Sequence, residues 1–289
     1  MGPAPGQVIP CPVFFNCPTK NLTMKLQFIP LSALCLSPLL GHADSFLVSN
    51  TTADALLASG SPGNPVGSDL KSKNFGGLGA LAIAPASSTK GEFDTVLKFN
   101  LSGAASHFDT TFGPGNWKVS GLTLSLASNF GAQGEQPSNA LFNSINGGAF
   151  NVTWLSNDSW VEGSGGGSGS AGFPGTSAVS FNSIPDLLSG QTAALGSFAF
   201  SPPGDNVYAS YALPSEANFL ADATSGGDVS LYLSPADNQV GYLFNSRSFS
   251  SGHPELTVNA SPVPEPSSLA LLAAFGGLIG TRFWRRKSA

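Results

Sequence analysis

The hydrophobic residues between positions 46 and 258 fall in short runs, where they alternate with small or polar residues. Turn-forming glycine, proline, asparagine and serine separate the runs, which is typical of half-buried strands joined by polar loops. The predicted strands span residues 46–49, 80–84, 95–101, 117–127, 150–155, 197–200, 208–213, 229–233, 241–244 and 255–258. This pattern predicts an all-β, antiparallel two-sheet β-sandwich over residues 44–260.

The run 95–101 shows the alternation most clearly. Val96, Lys98 and Asn100 share one face, whereas Leu97 and Phe99 lie on the other. Helical periodicity is confined to two short pieces, 184–188 and 215–224. We expect Ser215 to cap the second piece and the glycines at 226 and 227 to end it.

The N-terminal region predicts export. Residues 1–23 show no regular pattern. We interpret them as an extension of the signal peptide or as residues before the true start of translation at Met24, where a signal-peptide pattern begins. One lysine, an apolar run and a small residue at Ala43 predict a secretory signal peptide, 24–43, that uses the Sec translocon and is cleaved after Ala43. Lipoprotein processing at Cys35 is the weaker alternative, because Leu34 precedes that cysteine.

All the cysteines of the chain lie before the predicted cleavage site, at Cys11, Cys17 and Cys35. The mature protein would therefore enter an oxidising compartment without a thiol, which excludes cysteine catalysis and thiolate metal sites there.

The C-terminal region combines three adjacent signals. A proline-rich linker, 261–267, contains Pro264, Glu265 and Pro266. An apolar stretch, 268–284, runs through Leu269 to Trp284 and predicts a transmembrane helix. A basic tail, 285–289, contains the cluster Arg285, Arg286 and Lys287. Basic residues beside an apolar segment stay in the cytoplasm, so the body should lie outside it.

This order resembles the PEP-CTERM sorting signal of Gram-negative bacteria. The resemblance implies a membrane transpeptidase, exosortase, as partner. It also implies transient residence in the inner membrane, followed by release to the cell surface or the extracellular space. The alternative is a plain membrane anchor. About sixteen residues make a helix of about 24 Å, somewhat short for a hydrocarbon core of about 30 Å.

The mature region is acidic, which bears on its partners. Six lysines and arginines face sixteen acidic residues there, leaving a net charge of about −10. Nucleic acid needs clustered basic residues, so we expect no nucleic-acid partner and no docking on anionic lipid. An acidic secreted protein is compatible with calcium binding.

Several segments resemble DNRLRE-type domains, which are extracellular jelly rolls that include carbohydrate-binding modules. They are the run that begins at Asp54, the strands 81–84 and 96–102, the segment 150–164 with Trp160 and Glu162, and the end from 229 through Arg247 to 258. The resemblance implies a jelly-roll connectivity. The chain departs from the family pattern at Asn100, where aspartate is usual, and at Ser248, where an acid is usual.

Few residues of the sequence are candidates for catalysis or ligand binding. Asp158 and Glu162 flank Trp160, an arrangement that could suit a sugar site. The favoured interpretation is an edge tryptophan that covers the end of the sandwich beside solvated acids. Glu92 and Asp94 are expected in a solvated turn. The glycine and serine run 163–172 is expected to form a flexible loop.

No cofactor is expected apart from a possible structural calcium. Its weak candidate ligands, chosen on residue type alone, are Asp54, Asp228 and Asp237, with Asn64, Asp69 and Asn238 as further oxygen donors. Arg247 is expected to form a salt bridge with Glu255 or with an acid on the first strand.

Three functional hypotheses follow from these observations. The first is a non-enzymatic, exported protein of the cell surface or the exopolysaccharide matrix. The alternative is a carbohydrate-binding module, with Trp117, Trp154 and Trp160 as stacking platforms if their indoles are exposed. A polysaccharide-active enzyme ranks third, because His107 and His253 are the only mature histidines and no nucleophile-elbow motif precedes a helix.

Overall fold

A computed structural model of the protein describes residues 42–130, 142, 144–167, 169–171 and 178–263. The strands are β1 (Asp44–Val48), β2 (Ala53–Ala58), β3 (Lys73–Asn74), β4 (Ala80–Ile83), β5 (Phe93–Asn100), β6 (Trp117–Ala127), β7 (Gly148–Leu155), β8 (Ser170–Ala171), β9 (Thr192–Phe200), β10 (Tyr208–Leu213), β11 (Asp228–Pro235), β12 (Tyr242–Asn245) and β13 (Glu255–Pro262). The helices are α1 (Ser102–Phe112), α2 (Ile184–Leu187) and α3 (Ala217–Ser225), with a 3₁₀ turn over Phe181–Ser183.

Two antiparallel sheets make up most of the body. One has four strands in the order β1-β13-β6-β10, and the other has five in the order β2-β5-β11-β7-β9. Short ladders pair β12 with β4 and β3 with β8. Buried residues from both large sheets form one apolar cluster, as expected for sheets packed face to face. The prediction of an all-β, antiparallel fold is confirmed, whereas the jelly-roll connectivity stays a prediction.

The alternation predicted along β5 is present. Leu97 and Phe99 point into the main core between the sheets, and Val96 points to the opposite side. Strands β6 and β10 have the bounds that the sequence pattern predicts. Each leucine or phenylalanine that becomes fully buried contributes about 1.5–3 kcal/mol, so this row of side chains fixes which face of the strand lies inward.

A second apolar cluster lies on the outer face of the five-stranded sheet. The described part of the segment 156–190 (residues 156–167, 169–171 and 178–190), here called the cover, packs Trp160, Val179 and Leu187 onto this face. Beneath them lie the apolar side chains of strands β2, β5, β7 and β11, namely Ala55, Leu57, Val96, Leu155 and Tyr232. The central part of this sheet is therefore buried on both faces.

Four elements are absent from the sequence prediction: strand β2, the two-residue strands β3 and β8, and helix α1. Strand β2 is buried at five consecutive positions and so lacks the alternation of a half-exposed strand. Helix α1 buries only Ala104 and Phe108, and its serine, threonine and glycine content gives a weak helical pattern.

The second predicted helix is present but is capped differently. The carboxylate of Glu216, and not the hydroxyl of Ser215, accepts the N–H of Phe219 at 2.8 Å. Gly226 ends the helix in the left-handed conformation, as predicted.

The glycine run beginning at Gly163 is more closely packed than a flexible loop. A side chain at Gly165 would lie 1.8 Å from the carbonyl oxygen of Asn74, and Gly163 has a φ of +76°. Gly169, with a φ of +68°, lies against Lys73 and Phe75. Only glycine fits such close approaches and positive φ angles, so the run is packed against strand β3 at these three glycines, while the space around Gly166 and Gly167 is open.

The predicted signal peptide up to residue 41, the extension before it and the tail from Pro264 onward lie outside the described residues. Within the described ranges, no helix is long and apolar enough to cross a membrane.

We expect Gly165→Ala to destabilise the protein, because its methyl group would collide with the backbone at Asn74. Gly166→Ala is the matched control, since the space around Gly166 is open to 4 Å. Thermal unfolding should show a midpoint several degrees lower for the first variant and little change for the second, because about 1 kcal/mol corresponds to about 2–4 °C in a domain of this size. Equal midpoints would contradict the packed arrangement.

Candidate functional site

Arg247 joins two carboxylates that are distant in sequence. Its backbone N–H donates to Oδ2 of Asp54 at 2.7 Å, and its Nε donates to both carboxylate oxygens of Glu162 at 2.9 and 2.7 Å. The hydroxyl of Thr51 also donates to Oδ2 of Asp54, at 2.9 Å. We call these four residues the Arg247 cluster.

The salt bridge expected for Arg247 therefore exists, but both suggested partners were wrong. Arg247 pairs with Glu162, which belongs to the cover. Glu255 instead accepts a hydrogen bond from the hydroxyl of Tyr208 at 3.1 Å. Glu162 and Arg247 are 85 residues apart in the sequence. A local sequence pattern does not predict a contact between residues so far apart.

Burial dominates the electrostatics of the Arg247 cluster. Asp54 is completely buried, and its Oδ1 atom has no hydrogen-bond partner among the described residues. Burial raises the pKa of Asp54 to about 6, against the opposing effect of the Arg247 backbone N–H. Burial, together with the negative charge of Asp54, raises the pKa of Glu162 to about 7.

Asn74 holds the backbone around Glu162 in place. Its Nδ2 donates to the carbonyl oxygens of Glu162 and Val179 at 2.7 and 2.8 Å, and its Oδ1 accepts the N–H of Gly165 at 2.9 Å. This one buried amide ties three points of the cover to strand β3, so the position of the Glu162 carboxylate depends on it.

The residues around Trp160 form a buried polar network. The indole Nε1 donates to Oγ of Ser230 at 2.9 Å, and that hydroxyl donates to Oδ1 of Asp158 at 2.6 Å. The Lys98 ammonium lies 4.5 Å from the centroid of the Trp160 ring and donates to the carbonyl oxygens of Asp158 and Trp160. Burial raises the pKa of the Asp158 carboxyl.

The structure differs from both interpretations of the Asp158, Trp160 and Glu162 motif, the sugar site and the solvated acids. Trp160 is only 8% exposed, so its face is not available for stacking on a sugar. Glu162 is equally buried and holds Arg247, so it is not a solvated acid either. These side chains fasten the cover to the sheet.

The other two tryptophans of the body are also buried. Trp117 donates to Oδ1 of Asp109 at 2.7 Å, and Trp154 donates to Oδ2 of Asp222 at 2.8 Å. None of the three indoles therefore supplies the exposed platform on which the carbohydrate-binding hypothesis was based.

Asp94 is buried rather than part of a solvated turn. It accepts the hydroxyl of Tyr232 on Oδ2 at 2.7 Å and is 1% exposed, while its Oδ1 has no partner in the described part of the chain. Burial raises the pKa of Asp94 to about 7, and the nearby charge of Glu92 adds to this shift. Burial likewise raises the pKa of Glu92.

The calcium candidates lie in different settings. Asp54 belongs to the Arg247 cluster, and Oδ1 of Asp228 accepts the Asn100 amide at 2.7 Å. Asp237 accepts the N–H groups of Ala149, Gln239 and Val240, which lower its pKa against a burial penalty. Across the described ranges, no three acidic, histidine or cysteine side chains come close enough to hold a metal together.

A polar groove of about 230 Å³ lies where the β4–β12 ladder ends. Three chain segments line it, contributing Ser87, Ser88, Thr89, Ser144, Asn146, Asn238, Gln239 and Val240. The lining has hydroxyl and amide groups without a charged side chain. The sequence pattern places these residues in turns between strands, and among them only Asn238 is predicted to have a role, as an oxygen donor for calcium.

A family profile described as the PEP-CTERM protein-sorting motif matches residues 262–287. The match confirms the resemblance drawn from the C-terminal region. The chain therefore carries the signal of an exported protein that exosortase recognises, processes at the membrane and moves to the cell surface. No curated protein matches the chain. The matched residues begin at Pro262, where strand β13 ends.

The raised carboxyl pKa values predict that the protein is more stable in mild acid. The folded state binds more protons than the unfolded state between the ordinary carboxyl pKa, about 4, and the values of about 6 to 7 found for Asp54, Asp94 and Glu162. Stability should therefore fall as the pH rises through this window. We expect the thermal midpoint to be several degrees higher at about pH 5 than at about pH 7.5.

Asp94→Asn should flatten this pH profile, because the amide cannot ionise. Asp69→Asn is the control, since Asp69 is an exposed acid. Circular dichroism melting curves across the pH series measure both effects. A midpoint that rises from mild acid to neutrality in the parent protein would contradict the assignment.

Proposed function

We propose that this chain is a non-enzymatic component of the cell surface or of the exopolysaccharide matrix. The observation that carries the proposal is the sorting motif, which begins where the last strand of the β-sandwich body ends. In this proposal the body is the cargo, which the C-terminal motif delivers outside the cell.

The way the body uses its reactive side chains supports a structural role. The carboxylates of Asp94, Asp158 and Glu162 each bind a neighbouring side chain and hold strands or the cover together. Nε2 of His107 pairs with Asp44 at 2.7 Å, and Nε2 of His253 lies 2.9 Å from the Phe249 carbonyl oxygen. These groups already have contacts that explain them without catalysis.

The outward face of the four-stranded sheet supports a matrix location. Small hydroxyl and amide side chains are frequent there, including those of Ser45, Thr123, Ser210, Thr257 and Asn259, and they lie beside Leu47, Tyr208 and the charged Lys118 and Glu255. A broad hydrogen-bonding surface suits many weak contacts with a hydrated polymer, which does not require a deep pocket.

Changing Pro264, Glu265 and Pro266 together to alanine should abolish processing. Intact mass of the protein recovered from membranes and from culture medium of the native host measures it. We expect the parent to lose the residues beyond the motif and the variant to retain them in the membrane fraction. Replacing the exposed Pro202 and Pro203 by alanine provides the control. A parent that remains uncut would identify a plain membrane anchor and overturn the sorting part of the proposal.

A carbohydrate-binding module is the second candidate, and the polar groove favours it. Neutral hydroxyl and amide groups match the hydrogen-bonding pattern of an uncharged polyol, and a concave site lets several of them act together. This version of the hypothesis does not require the buried tryptophans.

The double variant Ser88→Ala/Gln239→Ala tests the groove. If the groove holds sugar, retention on exopolysaccharide purified from the native host should fall about tenfold, since losing about 1.4 kcal/mol has this effect. Gln191→Ala/Ser250→Ala is a matched control, because both residues are exposed and do not line the groove. Unchanged retention in the groove variant would reject this candidate.

A further inference from the structure

The two ends of the described body lie side by side. Strand β1 pairs with β13 in antiparallel register, with Asp44 opposite Ala260. Asp44 is the first residue after the predicted signal-peptide cleavage site, and β13 is the last strand before the sorting motif. Paired residues on neighbouring antiparallel strands are about 4.5–5.5 Å apart, so the two processing points are close together.

The body remains structured up to the residue before Pro264. Strand β13 pairs with β6 as far as Pro262, which lies opposite Trp117. The N–H of Val263 then donates to the carbonyl oxygen of Asn116 at 2.8 Å. Only one peptide bond separates Val263 from Pro264, the first residue of the Pro-Glu-Pro sequence.

Helix α1 contacts the end of strand β1 that pairs with the C-terminal end of β13. Oδ2 of Asp44 pairs with Nε2 of His107 at 2.7 Å and accepts the hydroxyl of Thr111 at 3.3 Å. We define the exit corner as Asp44, His107, Thr111, Asn116 and Val263. These contacts fix where the tail leaves the body.

The length of the connecting chain keeps the exit corner close to the membrane. Six residues lead from Val263 to Leu269, where the apolar stretch begins. Fully extended, they reach about 20 Å at most. While the tail is membrane-embedded, the surface around the exit corner must therefore lie within about this distance of the bilayer.

Pulling β13 out of the sheet would be costly. The strand lies between β1 and β6, and its side chains Leu256, Val258 and Ala260 are at most 1% exposed. Exposing these buried leucine and valine side chains to water is unfavourable, and the hydrogen bonds to both neighbouring strands would be lost as well. A peptidase that reaches the motif while β13 stays paired with β1 and β6 avoids this cost.

We propose that the exit corner is the surface that the folded body presents to the membrane-embedded sorting peptidase, and that the motif is cut while β1 and β13 remain paired. This inference rests on the proposed function, because it assumes that the motif is processed. It adds the orientation of the body and the conformational state in which the body is processed.

A disulfide between the two strands tests whether they stay paired. Ser45 lies opposite Asn259, and their separation as paired residues suits a disulfide. The three natural cysteines precede the predicted signal cleavage site, so the introduced pair would be the only thiols in the exported body. The Ser45→Cys/Asn259→Cys variant should be cut at the same rate in its oxidised and reduced forms, as measured by intact mass.

Accumulation of the oxidised precursor, with rescue by reductant, would overturn the proposal, because it would show that β13 must separate from β1. Ser45→Cys alone is the control for the substitution and the reductant. If the parent protein itself is never cut, the proposed function fails instead, so the two failures are distinguishable.

A second measurement tests the exit corner itself. Pro114 lies exposed in the turn before Asn116, and Ser250 lies exposed in the loop before the opposite end of β13. Full-length precursors carrying Pro114→Cys or Ser250→Cys are purified from cells that lack the sorting peptidase. Each cysteine is then coupled to a bulky polyethylene glycol maleimide. The conjugates are mixed with membranes that contain the enzyme, and the rate of cutting is measured.

Coupling at position 114 should slow the cut at least tenfold, whereas coupling at position 250 should leave the rate unchanged. A long glycine-serine linker inserted after Val263 should restore the rate of the first conjugate, because it moves the exit corner away from the enzyme. Equal rates for the two conjugates would overturn the assignment of this surface.

Discussion

The Arg247 cluster is the constraint on which much of the body depends. Burying a carboxylate costs free energy, and Arg247 offsets part of this cost for both acids, through its backbone N–H for Asp54 and its guanidinium for Glu162. The three residues come from strand β2, from the cover and from the loop after β12. Their contacts therefore join regions that are about 85 to 190 residues apart along the chain.

The cover follows from this arrangement. With Glu162 held by Arg247 and its backbone held by Asn74, Trp160 is placed over the outer face of the five-stranded sheet. Lys98 and Ser230 then satisfy the polar atoms around the indole. Residue types that are typical of a sugar site thus have a structural role, because the polar groups of a buried loop need internal partners.

The resemblance to DNRLRE-type domains stays a prediction, yet three of the residues in its short motifs meet in the fold. Asp54, Glu162 and Arg247 come from three separate motifs and form one cluster. Such a cluster gives a physical reason for these residue types to occur together in a β-sandwich with a covered sheet. It does not by itself imply a ligand.

The sequence by itself determined the features that are local or linear. The sorting motif is readable because it is a continuous stretch recognised by its order of residues, and the match to 262–287 confirms it. The bounds of β6 and β10 follow from the period of two that a strand with one buried and one exposed face imposes. Along β5 the same period directs alternate side chains into the two apolar clusters. Only the tertiary structure decided the rest. Strand β2 shows no alternation because the cover buries its second face, and Asp94 lies in the same buried setting, where Tyr232 is its partner. The partner of Arg247 and the burial of the tryptophans depend on contacts between distant segments, which no local pattern encodes.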